Sequence, residues 1–161
     1  MPTTISGDTG VSKAAAAPVN QAALAAGVAG TGPAFIARKT AQQAISANTA
    51  TKVTMDVEDY DTDNCFDLTN DRFTPNVAGF YQVNGIAYMS TISGAAYSFI
   101  YKNGAIELYG SGAPQGISGV SGLVYMNGTT DYLELWCYVN GTIVYDGAGL
   151  THFSAYLARK A

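Results

Sequence analysis

The stretch MDVEDYDTDNCFDLTNDRFTPNVAGFYQVNG, Met55 to Gly85, decides the fold, and its character changes at Arg72. An acidic, Asn-bearing segment precedes that residue. Phe73, a Thr74-Pro75 turn, Gly79 and the β-rich run Phe80-Tyr81-Gln82-Val83 follow it. Pro75 fixes φ and removes a backbone donor, and Gly79 can take positive φ without steric cost. Together they predict a shaped turn that delivers the chain into a strand.

Alternation then reads outward from that strand. From Phe80 to Met89 one face carries Tyr81, Val83, Gly85, Ala87 and Met89, which suits a core. The opposite face carries Phe80, Gln82, Asn84, Ile86 and Tyr88 and is also substantially apolar, so this strand must be covered twice. Tyr132 to Val139 alternates strictly: Leu133, Leu135, Cys137 and Val139 look inward, leaving Tyr132, Glu134, Trp136 and Tyr138 outside. Thr51 to Val57 reads as one half-buried strand, Ala34 to Ala37 as the first strand and Phe153 to Leu157 as the last. Asn103-Gly104 between two apolar runs predicts a hairpin with a type I′ turn, and Asn127-Gly128 and Asn140-Gly141 repeat that logic. Asn84-Gly85 lies inside a strand pattern and predicts a bulge or a close approach. Gly110 to Gly122 reads as a Gly/Ser loop. Roughly eight to ten short antiparallel strands without a helix-length period make an all-β sandwich.

Gaps of five, four, six and five residues separate Met55, Asp61, Phe66, Phe73 and Gly79, and Tyr81 follows in a Gly-x-Tyr. This spacing resembles the complement globular heads, which share the tumour-necrosis-factor-like (TNF-like) jelly roll. The sequence departs from the pattern at Met55 and Val83, where the family has Phe, and at Gly85, where it has an aromatic. The ending Phe153-Ser154-Ala155-Tyr156-Leu157 resembles the family's Phe-Ser-Gly-Phe-Leu, with Ala155 in place of Gly. The resemblance covers residues 34–158 and implies a jelly-roll β-sandwich that assembles as a trimer about a three-fold axis.

The outward side chains Phe80, Ile86, Tyr88, Tyr132, Trp136 and Tyr138 bear on that assembly. Large aromatics bury about 150–250 Å² each. If the two strands share a sheet, four of these residues expose on the order of 600–1,000 Å², more than a soluble monomer usually shows. These six are therefore the expected trimer interface.

The net charge of −4 disfavours nucleic acid and anionic membrane surfaces, which need a cationic footprint. No run approaches the roughly 18 apolar residues of a membrane span. The first residues lack a basic n-region and a Leu-rich h-region, so no secretory signal is expected. Enzyme chemistry finds little support: His152 is the only histidine, no phosphate cradle is present, and Cys65 and Cys137 are too few for a zinc site. A carboxylate pair acting on glycosides is the one enzymatic alternative carried forward. One cysteine pair is not a disulfide framework, and Cys137 falls where a small apolar thiol packs well, so free thiols are expected. No cofactor is expected beyond calcium at Asp59, Asp61 and Asp63, within the acidic run from Asp56 to Asp67.

Residues 1–32 are a different material, with no aromatic residue and few large aliphatics. They read as an attachment arm that orders against a neighbour, with a short helical turn over 21–26; residues 33–161 form the head. Thr3-Thr4-Ile5-Ser6-Gly7-Asp8-Thr9-Gly10-Val11-Ser12-Lys13, and the run from Val19 to Phe35, resemble the N-termini of tailed-bacteriophage fibre and virion-surface proteins. That resemblance implies a virion structural protein, assembled in the host cytoplasm, held to other virion proteins by its arm. The same resemblance implies a displayed head that meets a host-surface glycan or protein. The alternative is a cellular or secreted complement-like recognition module.

Overall fold

A computed structural model of the chain describes residues 32–89, 94–112, 116–139, 143–145 and 150–161. The expected arm at 1–32, but for Gly32, and the expected turn at Asn140-Gly141 lie outside the described residues. Among the described residues the regular structure is all strand: β1 (Ala34–Arg38), β2 (Gln43–Ile45), β3 (Thr51–Lys52), β4 (Val57–Asp61), β5 (Phe66–Asp67), β6 (Arg72–Phe73), β7 (Gly79–Met89), β8 (Ala96–Lys102), β9 (Ala105–Tyr109), β10 (Gly116–Met126), β11 (Leu133–Val139), β12 (Ile143–Tyr145) and β13 (His152–Lys160).

Two antiparallel sheets divide them. The first runs β2-β12-β7-β13-β1-β4, with β10 on the other flank of β7; the second runs β5-β6-β11-β8-β9, with β3 also on β11. The alternation read from sequence sets the register. On β7, Tyr81, Val83, Ala87 and Met89 are buried, while Gln82, Asn84, Ile86 and Tyr88 are half-buried on the outer face. On β11, Leu133, Leu135, Cys137 and Val139 meet them from the second sheet. A cluster of rings fills one end: Phe35 stacks on Phe66 and on Phe73, both at 4.6 Å, and Tyr81 meets Phe73 edge-on at 5.5 Å. Of the spaced residues, Met55, Phe66, Phe73, Gly79 and Tyr81 are buried, while half-buried Asp61 accepts the Phe66 amide at 2.6 Å.

Asn103-Gly104 joins β8 to β9 with φ of 52° and 82°, the positive values a type I′ turn demands. Gly85 is a close approach rather than a bulge. Its pairings to Val120 and Phe153 stay in register, and a Cβ there would collide with Leu135 Cδ1.

Three expectations are corrected. Thr51 to Val57 is not one strand, since the chain crosses between sheets there. Thr51 and Lys52 pair with β11 and the Val53 amide donates to Leu135 O at 2.9 Å, whereas the Asp56 amide donates to Arg38 O of the first sheet. Buried Lys39 ties the crossing, donating to Thr54 Oγ1 at 2.8 Å, and Asp71 Oδ1 accepts the Met55 amide at 2.7 Å. Burial keeps the Asp71 carboxyl above its ordinary pKa. The second correction concerns Gly110–Gly122, where β10 pairs with β7 from Gly116 onward without a break. Lateral hydrogen bonding overrides the weak strand preference of Gly and Ser there. Finally, Asn127-Gly128 is not a hairpin turn, because β10 and β11 lie in different sheets.

Candidate functional site

The six residues expected at an interface separate into three places. Phe80, Ile86 and Tyr88 share the outer face of the first sheet through β7. Trp136 and Tyr138 lie on the outer face of the second sheet through β11. Tyr132, just before β11, stands at the end of the sandwich beside Arg72. The premise that the two strands share a sheet therefore fails, and no single patch unites all six.

On the first face, β10 adds what the sequence reading missed. Register places Ile117 opposite Tyr88, Leu123 opposite Gln82 and Tyr125 opposite Phe80; on the far side of β7, Tyr156 is opposite Gln82. Ile117, Leu123 and Tyr156 are each half exposed, at 51%, 57% and 50%. The Phe80 and Tyr125 rings meet at 5.4 Å. A polar row crosses the middle, where Gln82 Nε2 donates to Ser121 Oγ at 3.0 Å and Ser121 Oγ donates to Asn84 Oδ1 at 2.8 Å. The alternation of Ser118, Val120, Val124 and Met126 inward against Ile117, Leu123 and Tyr125 outward was the available signal.

The second face carries a denser set of rings that cover one another. Tyr101 stacks on Trp136 at 4.5 Å, and Phe99 lies among Tyr97, Tyr101 and Tyr109. Phe99 is only 7% exposed although its side chain points outward. Trp136 Nε1 donates to Glu134 Oε2 at 2.9 Å, and Lys52 Nζ lies 3.2 Å from Glu134 Oε1. A shallow apolar cleft of about 340 Å³ runs beside these rings.

At one end of the sandwich a polar cleft of about 480 Å³ lies between the chain around Asn64–Asp67, β6 and the 129–132 segment. Arg72 lies over the Tyr132 ring, 5.1 Å from its centroid. Asn127 Oδ1 shapes one wall by accepting the amides of Thr129, Thr130 and Asp131 at 2.9–3.0 Å.

Asp59, Asp61 and Asp63 do not fit a calcium site as placed. Asp59 is paired with Arg38, and Asp61 accepts the Phe66 amide at 2.6 Å and the Asp63 amide at 3.2 Å. Among the described residues no group of three or more His, Cys, Asp or Glu is disposed to hold a metal ion. Cys65 and Cys137 are both buried and no disulfide joins them; burial pushes the Cys65 thiol above its ordinary pKa. His152 is half-buried in β13, opposite Arg38 and Ile86. No helix among the described residues is long and apolar enough to cross a membrane.

No family model and no curated protein matches the sequence. Solved structures do share the fold. Murine APRIL at pH 8.0 aligns with a TM-score of 0.61 and 7% identity, covering 76% of this chain and 96% of that one. The globular domain of zebrafish complement 1qA protein aligns with a TM-score of 0.58 and 13% identity, covering 81% and 99%. The chain therefore has the all-β, TNF-like jelly-roll fold that the Met55–Gly85 spacing implied.

Proposed function

We propose that this chain is a trimeric structural protein of a tailed-bacteriophage virion. Residues 1–32 anchor it to other virion proteins, and the jelly-roll head faces outward to meet a host-surface glycan or protein. It acts without catalysis. One observation carries the assembly: the outer face of the first sheet, where Ile117, Leu123, Tyr125, Phe80 and Tyr156 stand exposed together. Five such side chains, each about half exposed, amount to on the order of 400–600 Å² of apolar surface, at the upper end of what a monomer shows. With the polar row between them, that face approaches the roughly 800 Å² per partner of a stable interface. The three-fold stoichiometry follows from the resemblance to complement heads, and the virion setting from the resemblance of residues 3–13 and 19–35 to phage N-termini.

Two measurements test the reading. Sedimentation of the purified chain at micromolar concentration gives three copies per particle; a single copy overturns the assembly. Deleting residues 1–32 leaves a folded trimer that no longer enters virions, and a truncated head that still decorates particles normally removes the anchoring role. A second reading, a complement-like recognition module outside any virion, is favoured by the fold likeness to zebrafish complement 1qA. It predicts a trimer whose arm is dispensable for assembly and binding.

A further inference from the structure

The end cleft holds a cation with an unusual position. Arg72 enters from the short strand β6, and its guanidinium lies over Tyr132. None of the hydrogen bonds or ion pairs among the described residues uses that guanidinium. Across the β5–β6 pairing Asp67 feels the Arg72 charge, but its oxygens hydrogen-bond elsewhere. Its Oδ1 accepts the Thr69 and Asn70 amides at 2.8 and 3.1 Å, and its Oδ2 accepts Asn70 Nδ2 at 2.6 Å. An arginine carries five N–H donors in a fixed planar fork that matches a carboxylate. Stacking on Tyr132 orients the fork and removes water from one of its faces, so little ordering remains to be done when an anion arrives.

The walls around Arg72 match the rest of such a ligand. Thr74, Thr129 and Thr130 bring hydroxyls, Tyr132 an aromatic ring, and Asn64 an amide. The 480 Å³ volume falls within the roughly 300–1,000 Å³ of small-molecule sites. Both walls are fixed before binding, by Asn127 beneath Thr129 and Thr130 and by Asp61 beneath Phe66. The charge balance selects among anions. Asp67 shares the cleft with Arg72 and the chain carries −4, so repulsion grows with ligand charge and disfavours a dianion such as phosphate more than a monocarboxylate.

We propose that the Arg72–Tyr132 cleft binds a carboxylate-bearing sugar of the uronic or sialic acid type. The carboxylate pairs with the Arg72 fork, and the ring hydroxyls meet the threonines. This deepens the recognition half of the proposed function and rests on it. The assay uses the purified full chain, so its failure leaves virion incorporation and trimer assembly standing, and theirs leaves it standing.

The test is an NMR titration with the methyl glycosides of glucuronic and galacturonic acid and with N-acetylneuraminic acid, each beside a neutral counterpart whose carboxyl is reduced to the alcohol. The expected result is saturable binding of at least one acid, with its neutral counterpart at least tenfold weaker. Arg72→Gln weakens that acid at least tenfold, and Arg72→Lys recovers part of the loss because charge returns without the planar fork. Acid and neutral sugars that bind alike, no saturable binding by any acid, or inorganic phosphate competing as an equal each overturn the proposal. If Arg72→Gln fails to fold, the acid and neutral pair on the unaltered chain decides alone.

Discussion

The outer faces of the two sheets make an instructive pair. Both are rich in large side chains, yet they stand in different relations to water. On the second sheet, rings from β8, β9 and β11 lie against one another: Tyr101 on Trp136, Tyr109 edge-on to Phe99 at 5.3 Å, and Tyr97 beside Tyr138. That face covers Phe99 and half-buries Tyr97, Tyr101, Trp136 and Tyr138, while Tyr109 on its β9 edge stays 75% exposed. On the first sheet the apolar groups of β10 and β13 are spread around a polar row, and Ile117, Leu123 and Tyr156 have solvent over half their surface. Aromatic density does not mark a face that needs a partner; the lateral spacing of the side chains does.

The largest test of this contrast is assembly. Leu123→Asp with Tyr125→Asp places two charges on the first face, where a solitary subunit tolerates them but a closed interface does not. The expected outcome in sedimentation is a shift from three copies to one, with the β-sheet circular dichroism unchanged. A persistent trimer would move the interface to another face. Next in size is Trp136→Ala on the second face. The trimer is retained, while the loss of stacking on Tyr101 lowers stability by about 2 kcal/mol, read from urea denaturation at fixed concentration. Dissociation instead would assign Trp136 to the interface after all.

The smallest effect concerns the clamp at the end of the second face. Burial alone would raise the Asp131 pKa. Hydrogen bonds from the Asn103 and Lys102 side chains and the Asn127 amide, with the Lys102 charge, outweigh it and hold the carboxyl below the ordinary range. With the folded pKa below the unfolded one, ionised Asp131 favours the native state above about pH 4. That contribution is lost as pH falls through the folded pKa. Asp131→Asn is expected to cost about 1 kcal/mol at pH 7 and to converge on the unaltered chain toward acid, seen as a shallower slope of thermal midpoint against pH. Parallel curves would mean that the carboxylate charge contributes nothing there.

Much of the sandwich was legible because strand alternation is a local signal. Tyr81 through Met89 and Leu133 through Val139 face the core as their parity requires, and Asn103-Gly104 turns as its φ preferences require. The relation between strands was not legible. Sequence parity put Phe80 and Trp136 on outward faces without revealing that those faces look in opposite directions. The same limit hid β10. Its Gly and Ser residues have weak preferences of their own, and only eleven consecutive pairings with β7 make them a strand. It also hid the crossing at Val53–Asp56, where burial alternates as in a strand while the backbone passes from one sheet's hydrogen bonds to the other's. Arg72 and Tyr132, far apart in the chain, carried no sequence sign of their meeting.

Along the flank where β10 runs beside β8, the Gly110 amide donates to Ser98 O at 2.7 Å, the Ser111 amide donates to Gly119 O at 3.2 Å, and Ser98 Oγ donates to Ser118 O at 3.0 Å. A Cβ on Gly110 would lie 2.5 Å from Gly119 O, so only hydrogen fits at that point. Main-chain groups that would otherwise sit on an open border are turned inward and matched. An approaching strand therefore finds the Ser118 and Gly119 carbonyls on that side already accepting hydrogen bonds from within the chain.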